Sequence, residues 1–268
     1  MIIWCWIQTK TVYNFRARKS HCCASEALDL AQTVFSTDRL KLMERWGFVF
    51  LTQMEVKLPS VETVSVFFAK YLMDHEYVKE QKFSIQTLSG PIEVECLNNR
   101  ATEFRVKMGK ASFISREIPV TGEVREVINE SFTFHNKEYK ATCLTVGNPH
   151  CIIFMNQVTP ELAKELGPYV ENADEFPEKM NLQICRKIDT GNLDIEIWER
   201  GSGYTKASGT GSCAAAVAAY RLGLVENRVN VNQPGGMIQI DIKDDDTIYM
   251  TGTVGYVADM SVAESFFS

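Results

Sequence analysis

Trp198 to Leu224, WERGSGYTKASGTGSCAAAVAAYRLGL, places a charged pair, Glu199–Arg200, ahead of a glycine-rich loop that runs straight into an alanine-rich segment. Gly201, Gly203, Gly209 and Gly211 let the backbone approach a ligand closely. SCAAAVAAYRLGL is a strong helix former with Gly223 near its end. Free N–H groups at the start of that helix, aided by its dipole, suit a carboxylate or phosphate. Arg200 can add a bidentate clamp on an anion, and Glu199 can hold an ammonium group. Together these groups match an amino acid, with its carboxylate on one side and its amine on the other.

Each piece also has a plainer reading. Glu199–Arg200 can be a surface pair at a strand end. GTGSCA fits the G-x-G-x-x-A dinucleotide fingerprint, but only some fifty residues follow, and they read as β-hairpins rather than βαβ units. GNPHC, Gly147 to Cys151, lies between two apolar runs and can be only a turn. His150 suits a hydrogen-bonded structural role as well as a catalytic one.

The elements that must position these groups are short alternating runs closed by turn signals. FSIQTLSGPIEVECLNN, EFRVKMGKASF, CLTVGNPHCIIFM and LDIEIWE read as strands. An internal repeat relates FAKYLMDHEYVKEQKFSIQTLSGPIEVECLNNRATEFRVKMGKASF to VAAYRLGLVENRVNVNQPGGMIQIDIKDDDTIYMTGTVGYV. Each copy runs helix, strand, Gly turn (SGPIEVE against GGMIQID), strand, hairpin and strand. Two copies imply two similar α+β lobes, with an active site expected between them. A net charge of −6 argues against a basic face for nucleic acid. No apolar run approaches the roughly 18 residues of a membrane span, and MIIWCWIQTK makes a poor signal peptide. The eight cysteines show no paired spacing for zinc or a disulfide framework, which fits a reduced, cytoplasmic protein with buried thiols.

GNPHCIIF, FPEKMNLQI and ERGSGYTKASGTGSCAAAVAA, in this order and spacing, resemble the diaminopimelate epimerase family. The resemblance covers roughly residues 67–268, and FFAKYL followed by VKMGKASFISREIPV fits the end of that family's first lobe. It implies an α+β fold of two pseudo-symmetric lobes, each a curved, mostly antiparallel sheet around a central helix. It implies an isomerase that interconverts LL- and meso-diaminopimelate, on the way to lysine and peptidoglycan. It implies no cofactor, pyridoxal phosphate included, and no metal. The substrate-binding positions carried over are Asn148, Asn181, Glu199, Arg200, Gly209 and Thr210. The implied partner is a small amino-acid substrate, with no nucleic acid and no membrane, and there is room for a homodimer. A racemase of another amino acid in the same fold is the alternative enzyme, and a misframed product without function is the alternative to an enzyme.

The implied chemistry exposes a departure. An amino-acid α-proton is very weakly acidic, so a site without a cofactor must stabilise the carbanion by hydrogen bonds and dipoles. Inversion needs one group to remove the proton and another to return it from the opposite face. The family uses two cysteines for this, each at a helix start, where a thiol of pKa ~8.5 is lowered into the working range. Ser208 stands at the second of these positions. An unassisted hydroxyl has a pKa near that of water, about 15.7. The difference, about 7 units, is roughly 10 kcal/mol in the cost of forming the base. Cys213 aligns with a structural cysteine inside the helix and is a poor substitute.

The first of the two cysteines belongs to a CGNG motif in the first lobe, which residues 1–66 lack together with the family's other first-lobe motifs. Their texture differs as well, with only Gly47 among the sixteen glycines and three of the four tryptophans. The genetic code supplies an explanation. Gln53–Phe68 can be encoded so that the frame starting at each third codon base reads NGSEAAECGNGVRFF. The cysteine codon then straddles Ser60 and Val61. The same shift of Met1–Lys10 permits DYLVLDSNK, the family's opening strand, and the shift of Leu40–Glu44 permits KADG. The expected organisation is therefore a frame-shifted segment at 1–66, a remnant of the first lobe at 67–120 and the second lobe at 121–268. On this reading the activity of the chain is doubtful. The alternative for the first segment is a divergent helical N-terminus, which the periodicity of SEALDLAQTVFSTDRLKLMERW allows.

Overall fold

Alternation of apolar and polar residues, broken at glycines, sets most of the strands. The computed structural model describes residues 2–6, 62–87 and 90–260. In chain order these form β1 (Ile2–Trp6), α1 (Glu62–Asp74), β2 (Lys82–Thr87), β3 (Gly90–Cys96), β4 (Glu103–Gly109), β5 (Glu130–Phe134), β6 (Lys137–Thr145), β7 (Pro149–Phe154), α2 (Pro160–Glu171), β8 (Asn181–Lys187), β9 (Asn192–Glu199), β10 (Gly203–Thr205), α3 (Gly209–Arg221), β11 (Arg228–Gln233), β12 (Gly236–Ile242), β13 (Ile248–Thr253) and β14 (Gly255–Met260). The architecture is sheet-rich α+β. Residues 7–61, including Gln53–Val61 of the frame argument and the helical pattern that follows Ser25, lie outside the described residues.

The chain divides into two compact units, Met1–Phe104 with Thr253–Ser268, and Arg105–Gly252. In the first unit β2 and β3 form an antiparallel hairpin from Lys82↔Glu95 to Thr87↔Gly90. Val66, Ala69 and Leu72 recur at helical spacing on α1 and are buried, as are Ile85 and Val94 of the hairpin. β1 pairs antiparallel with β14, the strand nearest the other end of the chain.

In the second unit the strand order is β4-β13-β12-β11-β9-β8-β7-β6-β5, with β10 folded back on β9. The β5–β6, β6–β7, β8–β9, β9–β10, β11–β12 and β12–β13 pairs are antiparallel, and β7–β8 and β9–β11 are parallel. α2 joins the first parallel pair and α3 the second. The residues after α3 read as β-hairpins in the sequence, and β11, β12 and β13 are antiparallel neighbours with no further crossover.

α3 is the central helix of this unit. Every residue from Gly209 to Ala219 is buried, and the helix packs on β6, β7, β8, β9, β11 and β12. Its alanines and glycines keep the helix close to the sheet without charged side chains to solvate. The opposite face carries a second apolar layer in which Phe132, Phe134 and Phe176 pack with Ile153, Leu182, Ile184 and the Ala163, Leu166 and Val170 stripe of α2. β8 is covered on both faces, which explains its unbroken burial from Asn181 to Cys185.

The two copies of the internal repeat share one element order, α1-β2-β3-β4 and α3-β11-β12-β13. Their matching turn glycines, Gly90 and Gly236, both adopt positive φ, +112° and +134°. Among the described residues no helix is long and apolar enough to cross a membrane, and no cluster of His, Cys, Asp and Glu could hold a metal. Cys96, Cys143, Cys151, Cys185 and Cys213 are buried thiols. Burial pushes the Cys185 thiol well above its ordinary range, and Cys143 rises for the same reason, helped by its cross-strand neighbour Cys151.

Candidate active site

Strand direction assembles the site. β7 and β8 start side by side, with His150 opposite Asn181, and β9 ends beside them, with Trp198 opposite Leu182. Asn148, Asn181, Glu199 and Arg200 therefore share one rim of the sheet. The β10 hairpin then returns the chain so that α3 starts at the same rim.

Asn181 acts as a bracket. Its Nδ2 donates to the carbonyl of Pro149 at 2.7 Å, and its Oδ1 accepts the backbone N–H of Arg200 at 2.9 Å. The Arg200 guanidinium donates through Nη1 to the carbonyl of Glu178 at 2.7 Å. Gly201 and Gly203 each adopt a φ of +80°, which lets the chain reverse immediately after the Glu199–Arg200 pair.

Ser208 is the N-cap of α3. Its backbone is extended (φ −147°, ψ 120°) and its Oγ accepts the N–H of Gly211 at 3.1 Å. Burial raises the Glu199 carboxyl above its ordinary range, and the nearby Ser208 hydroxyl pulls the other way. The Gly209 and Thr210 N–H groups stand in the first turn, where a helix offers no acceptor. Gly211 cannot carry a side chain without displacing Gln183, because a Cβ there would lie 2.8 Å from Gln183 Nε2.

Thr210 and Asn148 meet directly, Asn148 Nδ2 donating to Thr210 Oγ1 at 3.3 Å. Behind them lies His150, fully buried, with Nε2 2.9 Å from Asn148 Oδ1 and Nδ1 2.9 Å from Gln183 Oε1. Burial, opposed by the bond to Gln183 and reinforced by the positive charge of Arg200, lowers the imidazole pKa to about 4. The ring is therefore neutral at pH 7 and can donate from one nitrogen only. Gln183 Nε2 has no partner among the described residues. Turning that amide to give its NH2 to Nδ1 satisfies both groups and leaves Nε2–H to donate to Asn148.

All seven residues read from the sequence, Asn148, Asn181, Glu199, Arg200, Ser208, Gly209 and Thr210, thus lie on one rim of the second unit. Three polar residues behind them escaped the sequence reading. Glu171 ends α2, and its carboxylate accepts Trp198 Nε1–H at 2.7 Å, the Gly201 N–H at 3.1 Å and Lys179 Nζ at 3.5 Å. Burial raises its pKa, but these donors lower it further than burial raises it, so the carboxyl sits below its ordinary range. Gln183 supports His150. Gln233 accepts the backbone N–H of Ser208 on its Oε1 at 2.9 Å. The only signal for Gln183 is a polar residue between the apolar Leu182 and Ile184.

A sequence profile of the family described as diaminopimelate epimerase matches residues 142–257. "Diaminopimelate epimerase 2" of Nostoc sp. is 41% identical over 201 residues, covering 75% of this chain and 70% of that protein. The diaminopimelate epimerase of Caldanaerobacter subterraneus subsp. tengcongensis is 36% identical over 189 residues, covering 70% of this chain and 69% of that protein. Among solved structures, a probable proline racemase from Agrobacterium radiobacter matches with a TM-score of 0.56 at 12% identity, covering 75% of this chain and 66% of that one. A hydroxyproline epimerase from Agrobacterium vitis matches at 0.54 and 11%, covering 72% and 64%. These two share the fold, whereas the family profile spans the loop and helix that carry the candidate site. On those grounds the chain belongs to the diaminopimelate epimerase family.

Proposed function

We propose that the second unit binds the α-amino-acid end of diaminopimelate, and that in this chain proton transfer is impaired at residue 208. The observation that carries this reading is the convergence of Asn148, Asn181, Glu199, Arg200 and Thr210 on the first turn of α3, with a hydroxyl at its N-cap. The Gly209 and Thr210 N–H groups and the helix dipole suit the substrate carboxylate. Glu199 and the Asn148 amide suit the ammonium and its neighbours. The reaction is removal of the α-proton and its return from the other face, with no cofactor.

Residue 208 is where that reaction stalls. The Ser208 Oγ accepts the Gly211 N–H and sits near the Glu199 carboxylate. Full removal of the hydroxyl proton leaves an alkoxide, roughly 10 kcal/mol more costly than the thiolate a cysteine would give. The position is therefore built to hold substrate rather than to act as a base. On the same reading the protein works in the cytoplasm without nucleic acid, and a homodimer is the assembly to look for by light scattering.

The test restores the reading frame upstream of Phe67, then compares Ser208 with Ser208→Cys. meso-Diaminopimelate is incubated in deuterium oxide, and deuterium at Cα and the isomer ratio are followed together. With Ser208 the expected result is slow epimerisation, with exchange confined to one isomer. Ser208→Cys should raise epimerisation by orders of magnitude. Full epimerisation with Ser208 in place would overturn the two-thiol argument.

A further inference from the structure

The turn between β11 and β12 meets the loop before α3 in two places. Gln233 pairs with Gly236 to close this turn, with Pro234 and Gly235 at its tip. The Gly235 N–H donates to the carbonyl of Lys206 at 2.6 Å. A Cβ at Gly235 would lie 2.6 Å from that same oxygen and 3.0 Å from Ala207 Cβ, so only glycine lets the two backbones come this close. The Gln233 side chain, 8% exposed, reaches past them. Its Oε1 accepts the Ser208 N–H at 2.9 Å and lies 3.3 Å from Ser212 Oγ. The Ser212 hydroxyl donates its proton to the Ser208 carbonyl at 2.8 Å.

We infer that Gln233, at the β11–β12 turn, is the positioning residue for the group at position 208. This deepens the proposed function, since it concerns the same N-cap, but it makes no use of substrate. An N-cap residue has no helical acceptor for its own N–H, and its side chain points at the helix only while its backbone stays extended. Gln233 Oε1 supplies the acceptor and so fixes the backbone from which the residue 208 side chain reaches Gly211 and Glu199. The oxygen end of the amide does this alone. Gln233 Nε2 has no partner among the described residues.

The experiment places a reporter thiol at the N-cap with Ser208→Cys in the full chain. It then adds Gln233→Met, which keeps length but removes the acceptor, or Gln233→Glu, which keeps an acceptor oxygen. Two quantities are read. One is hydrogen exchange of the residue 208 amide. The other is the pH midpoint of iodoacetamide alkylation at that peptide, followed by mass spectrometry. Gln233→Met should speed exchange at residue 208 about tenfold or more. It should also move the alkylation midpoint toward the ~8.5 of an unconstrained thiol. Gln233→Glu should keep the exchange protection. Unchanged exchange and an unchanged midpoint in Gln233→Met overturn the inference. If Gln233→Met also loses protection at Ala214–Ala219, the fold itself has failed and Gln233→Glu decides. Retained protection at residue 208 then supports the assignment, and lost protection with α3 intact overturns it. A protein that passes these tests and still fails to bind diaminopimelate would refute the functional reading and leave the positioning role standing.

Discussion

Glu171→Gln replaces a buried carboxylate that serves three donors with an amide of the same shape. The carboxylate places Oε2 on the Trp198 indole N–H and Oε1 on the Gly201 N–H and Lys179. An amide keeps one oxygen and turns a donor toward whichever N–H remains. One hydrogen bond to a charged group is lost, about 1.5–3 kcal/mol, and the unsatisfied donor adds to that cost. Lys179 is half exposed, so its ion pair is discounted almost to nothing. A loss of about 2–3 kcal/mol corresponds to a fall in Tm of roughly 5–10 °C for a unit of this size. The pH dependence gives a sharper test. The Glu171 carboxyl lies below its ordinary value in the folded protein, so its contribution is complete near neutrality. It is lost as pH falls below the ordinary carboxylate range and through the depressed folded value. Glutamine does not titrate. The stability gap between wild type and Glu171→Gln, from urea unfolding followed by Trp198 fluorescence, should be full at pH 7 and shrink on acidification. A gap below about 0.5 kcal/mol, or one that does not change between pH 7 and about 3, would refute the claim that Glu171 anchors the turn carrying Glu199 and Arg200.

Gly167→Ala should destabilise the second unit by about 1–3 kcal/mol or more in urea melts, because its Cβ would run into the Trp198 ring. Ser208→Ala should cost about 1 kcal/mol, the usual value of an N-cap, and a smaller loss measured the same way would mean that the Gly211 bond adds little. Arg200→Ala, in a frame-corrected background that binds measurably, should weaken diaminopimelate binding by about 1.5–3 kcal/mol as read by calorimetry, and unchanged affinity would remove Arg200 as the carboxylate clamp.

The parts of the site that were legible in the sequence share one property: they are local. The glycine loop, the alanine-rich helix and the Glu199–Arg200 pair sit within one stretch, and each carries its own backbone signal. The strands were legible from alternation, and the repeat gave the matching order of α1-β2-β3-β4 and α3-β11-β12-β13. α2 was not read. Gly167 and Pro168 interrupt its pattern, although Thr159 caps its start and Pro160 follows at the first turn. The parallel pairs β7–β8 and β9–β11 could not be read either, because period-two alternation is the same in both directions. Glu171, Gln183 and Gln233 were invisible for a related reason. Each supports a site residue that is distant in sequence, and only strand register brings Gln233 to Ser208 or Glu171 to Gly201. His150 was left between two roles, and its burial and two ring contacts make it the support of Asn148.

The two units also differ in when they can be finished. Arg105–Gly252 is one continuous run of chain, so a ribosome delivers it whole before the last strand emerges. The other unit is not continuous, and β1 finds its partner in β14 (Gly255–Met260), on the far side of that run. At about 5–20 residues per second, the β1 edge waits roughly ten seconds or more for that partner while the candidate site is already complete in sequence. During that wait its N–H and C=O groups offer an open edge to any other extended chain. Deleting Gly255–Met260 therefore acts first on β1, far away in the sequence.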